Sequence, residues 1–203
     1  MAEPSLQQIY AVALVHHRAG RLREAESLYR QILASDPNHA DALHMLGGVA
    51  HMAGHHAQAI ELIHKAIALN RHSPDYHSNL AIILASTGQS DAAISSLRTA
   101  LSIRPDYPQA HYNLGKLLAQ QNQFDQAIAA YCNAVRVHPN FPEAHNNLGD
   151  LLRQTGRVEE AIAALRTALA VRPNFPEAMF NLGLCQEARE QFEAALATFG
   201  DLL

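Results

Sequence analysis

The chain has 203 residues, 48% hydrophobic and 17% charged, with a net charge of −4. Its basic residues are scattered, so it offers neither the basic face that nucleic acid requires nor a cluster for anionic lipid. It has no apolar run of the roughly 18 residues a membrane span needs, and Met1-Ala2-Glu3-Pro4 lacks the basic opening of a secretory signal. Cys132 and Cys185 form no CxxC or Cys/His zinc pattern. They read as free thiols of a cytoplasmic protein.

A short phrase returns along the chain. His111-Tyr112-Asn113-Leu114-Gly115 is its clearest copy, and Asn79-Leu80-Ala81, Asn147-Leu148-Gly149 and Asn181-Leu182-Gly183 repeat its core at intervals of 34 residues. Met45-Leu46-Gly47 and Ala11-Val12-Ala13 are divergent copies. A fixed period of that size marks an architecture of stacked repeats. Residues 1–5 are a lead-in. The repeats are 6–39, 40–73, 74–107, 108–141 and 142–175, with an incomplete sixth at 176–203. Place n denotes the nth residue of a repeat.

Each repeat is predicted to be two helices. The first begins at Pro74, Pro108, Pro142 and Pro176 in four repeats, since proline suits the first helical position. Place 15 should break the pair. It holds Gly20, Gly54, Gly88 and Gly156, with Asn122 as a substitute; both residue types tolerate the left-handed conformation that ends helices. Glu190 departs from that rule and leaves the sixth turn open. The second helix carries Ala25, Ala59, Ala93, Ala127, Ala161 and Ala195 at place 20, where a small side chain lets backbones approach. Place 24 is large: Tyr29, Ile63, Leu97, Tyr131, Leu165 and Phe199. The helix should stop before Pro37, Pro105, Pro139 and Pro173, with Arg71 standing in once.

Small residues at places 8, 20 and 27, a large one at 24 and Pro at 32 resemble the tetratricopeptide repeat family from about residue 6 to the end. The resemblance implies an all-α fold: an α-solenoid of stacked antiparallel helix pairs, wound as a right-handed superhelix, with a groove lined by first helices. The chain departs at place 4, often Trp in the family, which here reads Ile9, Leu43, His77, His111, His145 and Met179. Asp201-Leu202-Leu203 falls inside the last second helix. Since terminal repeats need a polar outer face, a continuation past Leu203 is expected, or self-association through an uncapped end.

The Asn column carries the functional reading. Asn79, Asn113, Asn147 and Asn181 occupy place 6 of consecutive repeats, although Asn is a mediocre helix former. A side-chain amide both donates and accepts, so a row of them suits the backbone of an extended peptide. The alternative is that the amides bond to neighbouring turns. The phrases Ala110-His111-Tyr112-Asn113-Leu114-Gly115 and Ala144-His145-Asn146-Asn147-Leu148-Gly149 also resemble the N-terminal repeat region of bacterial proteins like the O-linked N-acetylglucosamine transferases. That resemblance implies a substrate-recruiting arm whose catalytic domain lies outside this chain.

Lys116, Asp150 and Arg153 complete the expected peptide-binding set. With acids beside its few cations, this face argues against a clamp for a terminal carboxylate. His16, His17, His44, His51, His55 and His56 gather in the first two repeats. His51 and His55 have a chelating spacing, but Gly54 interrupts them, and surface enrichment is the simpler reading. His77, His111 and His145 should pack between first helices with locally bonded rings. No GxGxxG, GxxxxGKS/T or GxSxG motif occurs, and no nucleophile has a base and an orienting group. The expected protein is therefore a binding module for a protein or extended peptide, without catalysis, cofactor or metal, and without nucleic-acid or membrane partners.

Overall fold

The computed structural model describes residues 4–200. The expected end at Asp201-Leu202-Leu203 lies outside them. Twelve helices and no strand occur among the described residues: α1 (Leu6–Arg18), α2 (Leu22–Ser35), α3 (Ala40–Met52), α4 (His56–Leu69), α5 (Pro74–Ser86), α6 (Ser90–Ile103), α7 (Pro108–Gln120), α8 (Phe124–Val137), α9 (Pro142–Gln154), α10 (Val158–Val171), α11 (Pro176–Ala188) and α12 (Phe192–Gly200). They form two compact units, Met1–Pro105 and Asp106–Leu203. Within each unit a first helix packs antiparallel on the second helix of its own repeat, and that second helix packs on the next first helix. The result is the expected α-solenoid of helix pairs.

One turn closes every pair. The amide of Arg21 reaches back to the His16 carbonyl at 3.0 Å, and those of His55, Gln89, Gln123, Arg157 and Gln191 do the same to Ala50, Leu84, Leu118, Leu152 and Gln186. This six-to-one bond requires a left-handed residue just before it. Gly54 supplies φ of 83°, Asn122 stands at 59° and Glu190 at 58°. The sixth turn is thus the same as the others, formed by a residue with no glycine freedom and at a steric cost. Proline opens α5, α7, α9 and α11. In α1, Ser5 and Gln8 cap each other's backbone amides instead, a reciprocal pair that satisfies two otherwise orphaned donors.

The core is repeated rather than central. In the first unit Ile9, Ala13, Ala25, Tyr29 and Ile32 bury one cluster with Leu46 and Val49. Ile32 stands at place 27, where later repeats put alanine, and is fully buried. Places 8 and 24 fit as socket and plug. A Cβ on Gly115 would lie 2.7 Å from the Tyr131 ring, and one on Gly149 2.6 Å from Leu165 Cγ. Tyr29, Ile63, Leu97 and Leu165 are almost wholly excluded from solvent. Removing side chains of that kind costs about 2–5 kcal/mol each. The prolines after the second helices are punctuation: α4, followed by Arg71, also ends two residues before place 32.

Candidate functional site

The packing columns leave places 5, 6, 9 and 12 of the first helices on a separate face. In the first unit Asn79 donates an amide N–H to His44 Nε2, with 2.6 Å between the nitrogens. In the second unit Asn147 donates to the Tyr112 hydroxyl at 3.2 Å, and Asn181 to Asn146 Oδ1 at 3.0 Å. Each bond joins place 6 to place 5 of the preceding repeat. The column therefore has a structural duty: it ties consecutive first helices together. The amides are nevertheless half-buried rather than enclosed. The carbonyl oxygens of Asn79 and Asn181 take no hydrogen bond among the described residues. Asn147 Oδ1 accepts a 3.3 Å bond from Asn146, and Asn113 Oδ1 a long 3.4 Å bond from Gln109. The outcome is amides whose orientation is set on one side while part of their capacity stays available.

The second unit surrounds its amides with charge and aromatic rings. Arg153 pairs with Asp150 at 2.8 Å, and Gln154 donates to the other oxygen of the same carboxylate at 2.8 Å. Lys116 lies 5.7 Å from the centre of the Tyr112 ring, a distance at which the ring face attracts a cation. Burial pushes the Tyr112 phenol up and that of Tyr131 to about 12, so both hydroxyls keep their protons at neutral pH. Asn147, Asp150, Gln154 and Tyr131 share an open hollow of about 320 Å³. Thus the structure gathers Asn147 and Asp150 in one place, with Arg153 joined through its carboxylate. The acids at place 2 are partly occupied elsewhere: Asp75 pairs with Arg104 at 2.6 Å and Glu143 pairs with Arg172, each tying the start of a first helix to the end of its second.

The first unit is different, and here the histidine reading needs correction. His44 is only 3% exposed. It is no surface residue, because place 5 turns toward the next first helix, where its ring lies 4.6 Å from that of Tyr76. His51 does not turn toward His55. It meets His56, with 3.0 Å between the Nδ1 atoms, an arrangement in which one ring donates and the other accepts. His17 approaches the Tyr29 hydroxyl at 3.4 Å. Burial holds His17, His44 and His51 below the ordinary histidine range. For His44, Asp41 and Asp75 oppose that shift while His17 adds to it, and for His51 the neighbouring His56 adds to it. Between these rings lies a cavity of about 240 Å³ with a mainly apolar wall.

The wall of that cavity includes Met45, Gly48, Met52 and Ile82, none of which the sequence marked as a site residue. The available signal was a departure from the repeat of α9: places 6, 9 and 12 read Asn147, Asp150 and Arg153 there, but Met45, Gly48 and His51 here. His77 and His145 bond locally, donating from Nε2 to the carbonyls of Arg71 at 3.0 Å and Pro139 at 2.9 Å. They stitch the loop before each first helix and have no part in this face.

Helix pairs on a 34-residue register, with packing on one set of places and a variable face on another, define a stacked-repeat α-solenoid. The chain belongs to the tetratricopeptide repeat family: models described as tetratricopeptide repeats match residues 16–83, 112–170 and 156–203, and a TPR repeat model matches 83–121. No curated protein matches the chain in sequence. Among solved structures it is similar to MamA, with 26% identity, a TM-score of 0.71 and coverage of 80% of this chain and 95% of that one. It is also similar to Pseudomonas aeruginosa pilF, with 20% identity, a TM-score of 0.88 and coverage of 97% and 90%. YrrB, titled a TPR protein with an unusual peptide-binding site, has 20% identity and a TM-score of 0.68, with coverage of 86% and 90%. The latter two likenesses concern the fold. No helix among the described residues is long and apolar enough to cross a membrane.

Proposed function

We propose that this protein is a protein-interaction module whose first-helix face holds an extended segment of a partner through its peptide groups. The carrying observation is the Asn column: the amides of Asn79, Asn147 and Asn181 are fixed by bonds to the preceding repeat, and all four amides remain only half-buried. Pre-oriented polar groups bind at a smaller entropic cost than free ones. Asn79 contributes on the first unit. On the second, Asn113, Asn147 and Asn181 do so with Lys116, Asp150 and Arg153 around them. The Asp150–Arg153 pair offers an acceptor and a donor side by side, and its near neutrality favours an uncharged segment.

The test begins with a peptide selected on the purified chain from a display library. Asn113→Ala combined with Asn147→Ala should weaken its binding about tenfold or more while circular dichroism stays unchanged. Unchanged affinity for a peptide that contacts the second unit would sink the reading. Asn147→Ala also removes the bond to Tyr112, so Tyr112→Phe, which removes only that bond, serves as the control and should weaken binding by less than Asn147→Ala does.

A second reading, self-association, is favoured by α12, where Phe192 and Leu196 are 63% and 75% exposed. Apolar side chains that open to water commonly mark an interface. Light scattering over a dilution series should then show dimers that Leu196→Glu dissolves; strict monomers at high concentration would exclude it. A narrower version of the main reading makes the module the recruiting arm of a glycosyltransferase. It is supported by the AxxNLG phrases at Asn113 and Asn147 and is tested by the intact mass of the native protein.

A further inference from the structure

The cavity of the first unit lies among α1, α3 and α5, bordered by His17, His44, Gly48, Met52, Asn79 and Ile82. Three observations limit its occupant. The first is size: about 240 Å³ exceeds the roughly 150 Å³ that suffices for benzene in an engineered core, so a side chain as large as leucine or phenylalanine fits. The second is polarity. Its wall is mainly apolar, and Met52 and Ile82 are 59% and 42% exposed, so an incoming group would cover them. The third is charge. Among the described residues no carboxylate, lysine or arginine lines the cavity, and its histidines are held neutral by burial. A charged side chain would lose its water and find no counter-charge in the wall; Asp41 and Asp75, which act on His44 from outside it, are engaged by Tyr76 and Arg104.

Its polar atoms are arranged at the margin. Asn79 turns its amide nitrogen to His44, which leaves its carbonyl oxygen unpaired beside the cavity. A peptide N–H above Asn79 could bond there while the neighbouring side chain enters. Gly48 forms part of the wall: a Cβ built there would meet nothing closer than His17 Cε1 at 3.7 Å. Mid-helix glycine costs stability relative to alanine, and at this position the space it leaves belongs to the cavity.

We infer that the cavity among α1, α3 and α5 is a specificity pocket for one uncharged apolar side chain, from leucine to phenylalanine in size, of the partner's extended segment. The inference rests on the extended-segment reading above and deepens it. The amides grip any backbone, whereas this pocket chooses which residue stands over the first unit. Met45 and Met52 suit that task, because unbranched thioethers adapt to aliphatic and aromatic guests alike.

The probes are blocked tripeptides, acetyl-Ser-Xaa-Ser-amide, with Xaa as Leu, Phe, Ser or Lys. The readout is the methyl spectrum of the full chain carrying ¹³C-labelled Met and Ile methyl groups. The Leu and Phe probes should shift Met45, Met52 and Ile82 saturably, and about ten- to hundredfold more tightly than Ser or Lys, which is the range expected for burying such a side chain. Gly48→Leu fills the space and should abolish the response with helicity intact. Ile82→Asp, at an exposed wall position, should do the same by adding charge and keeps the test alive if the first variant does not fold. Equal responses to Lys and Leu, no response at these methyls, or full binding by folded Gly48→Leu would each overturn the inference. Asn113→Ala with Asn147→Ala should leave the methyl response in place, so failure of the amide reading and failure of the pocket are seen separately.

Discussion

The two units share one packing scheme and present different faces. In the first, places 5, 6, 9 and 12 of α3 put His44, Met45, Gly48 and His51 around an apolar cavity. In the second, the same face of α9 puts Asn147 and Asp150 on an open hydrogen-bonded hollow, with Asn146 and Arg153 bonded to them. The packing places hardly change: Ala59 and Ile63 correspond to Ala161 and Leu165, all at or near zero exposure. The difference teaches how the repeat separates its duties. Places 8, 20, 24 and 27 are fixed by contact between helices. Places 5, 6, 9 and 12 vary more widely, because different side chains make the same tie between first helices: Asn79 to His44, Asn147 to Tyr112, Asn181 to Asn146.

The strongest attack on that comparison is to truncate equivalent plugs. Ile63→Ala and Leu165→Ala should each cost about 2–5 kcal/mol, whereas Lys116→Ala, at exposed place 9 of the variable face, should stay within about 0.5 kcal/mol. Urea melts followed by circular dichroism measure this. If the face substitution cost as much as the plug substitutions, the separation of duties would be wrong.

A smaller effect is expected at the one turn that breaks the glycine rule outright. Glu190 holds φ of 58°, a conformation that disfavours residues with a Cβ by about 1–2 kcal/mol. Glu190→Gly should relieve most of that, less the entropy glycine loses on folding. The net result is a modest rise in melting temperature and slower amide exchange in the turn between α11 and α12. Faster exchange there would contradict the argument.

The smallest effect is acid sensitivity of the first unit. Burial lowers the pKa values of His17, His44 and His51 from 6.5 in the folded chain. Above 6.5 all three are neutral in both states and carry no penalty. As pH falls below 6.5 the unfolded chain binds protons that the folded chain resists, so stability declines until the folded pKa values are passed. Melting temperature should therefore drop between about pH 7 and 5.5, and His44→Gln, which removes the most enclosed of these rings, should reduce the drop. The same protonation makes the cavity wall cationic, so apolar probes should bind less well at the lower pH. A melting temperature that rises on acidification would reverse the sign of the argument.

The sequence alone determined the repeat. Its period, the prolines that open α5, α7, α9 and α11, five of the six left-handed breaks and the columns of small and large residues were legible, because each follows from local backbone geometry or from contacts that recur at fixed spacing; the sixth break, at Glu190, was not, because glutamate carries no preference for that conformation. It also singled out the Asn column as a repeated polar feature. Tertiary structure decided what those residues touch. That Asn79 turns to His44 and Asn147 to Tyr112 depends on how one first helix sits against the next, a distance no single repeat encodes. It showed His44 to be buried, paired His51 with His56, and spent Asp75 and Glu143 on ion pairs to their own second helices. The cavity itself arises from side chains of three helices that are unremarkable one at a time; a void is a property of the space between elements, and only their packing creates it.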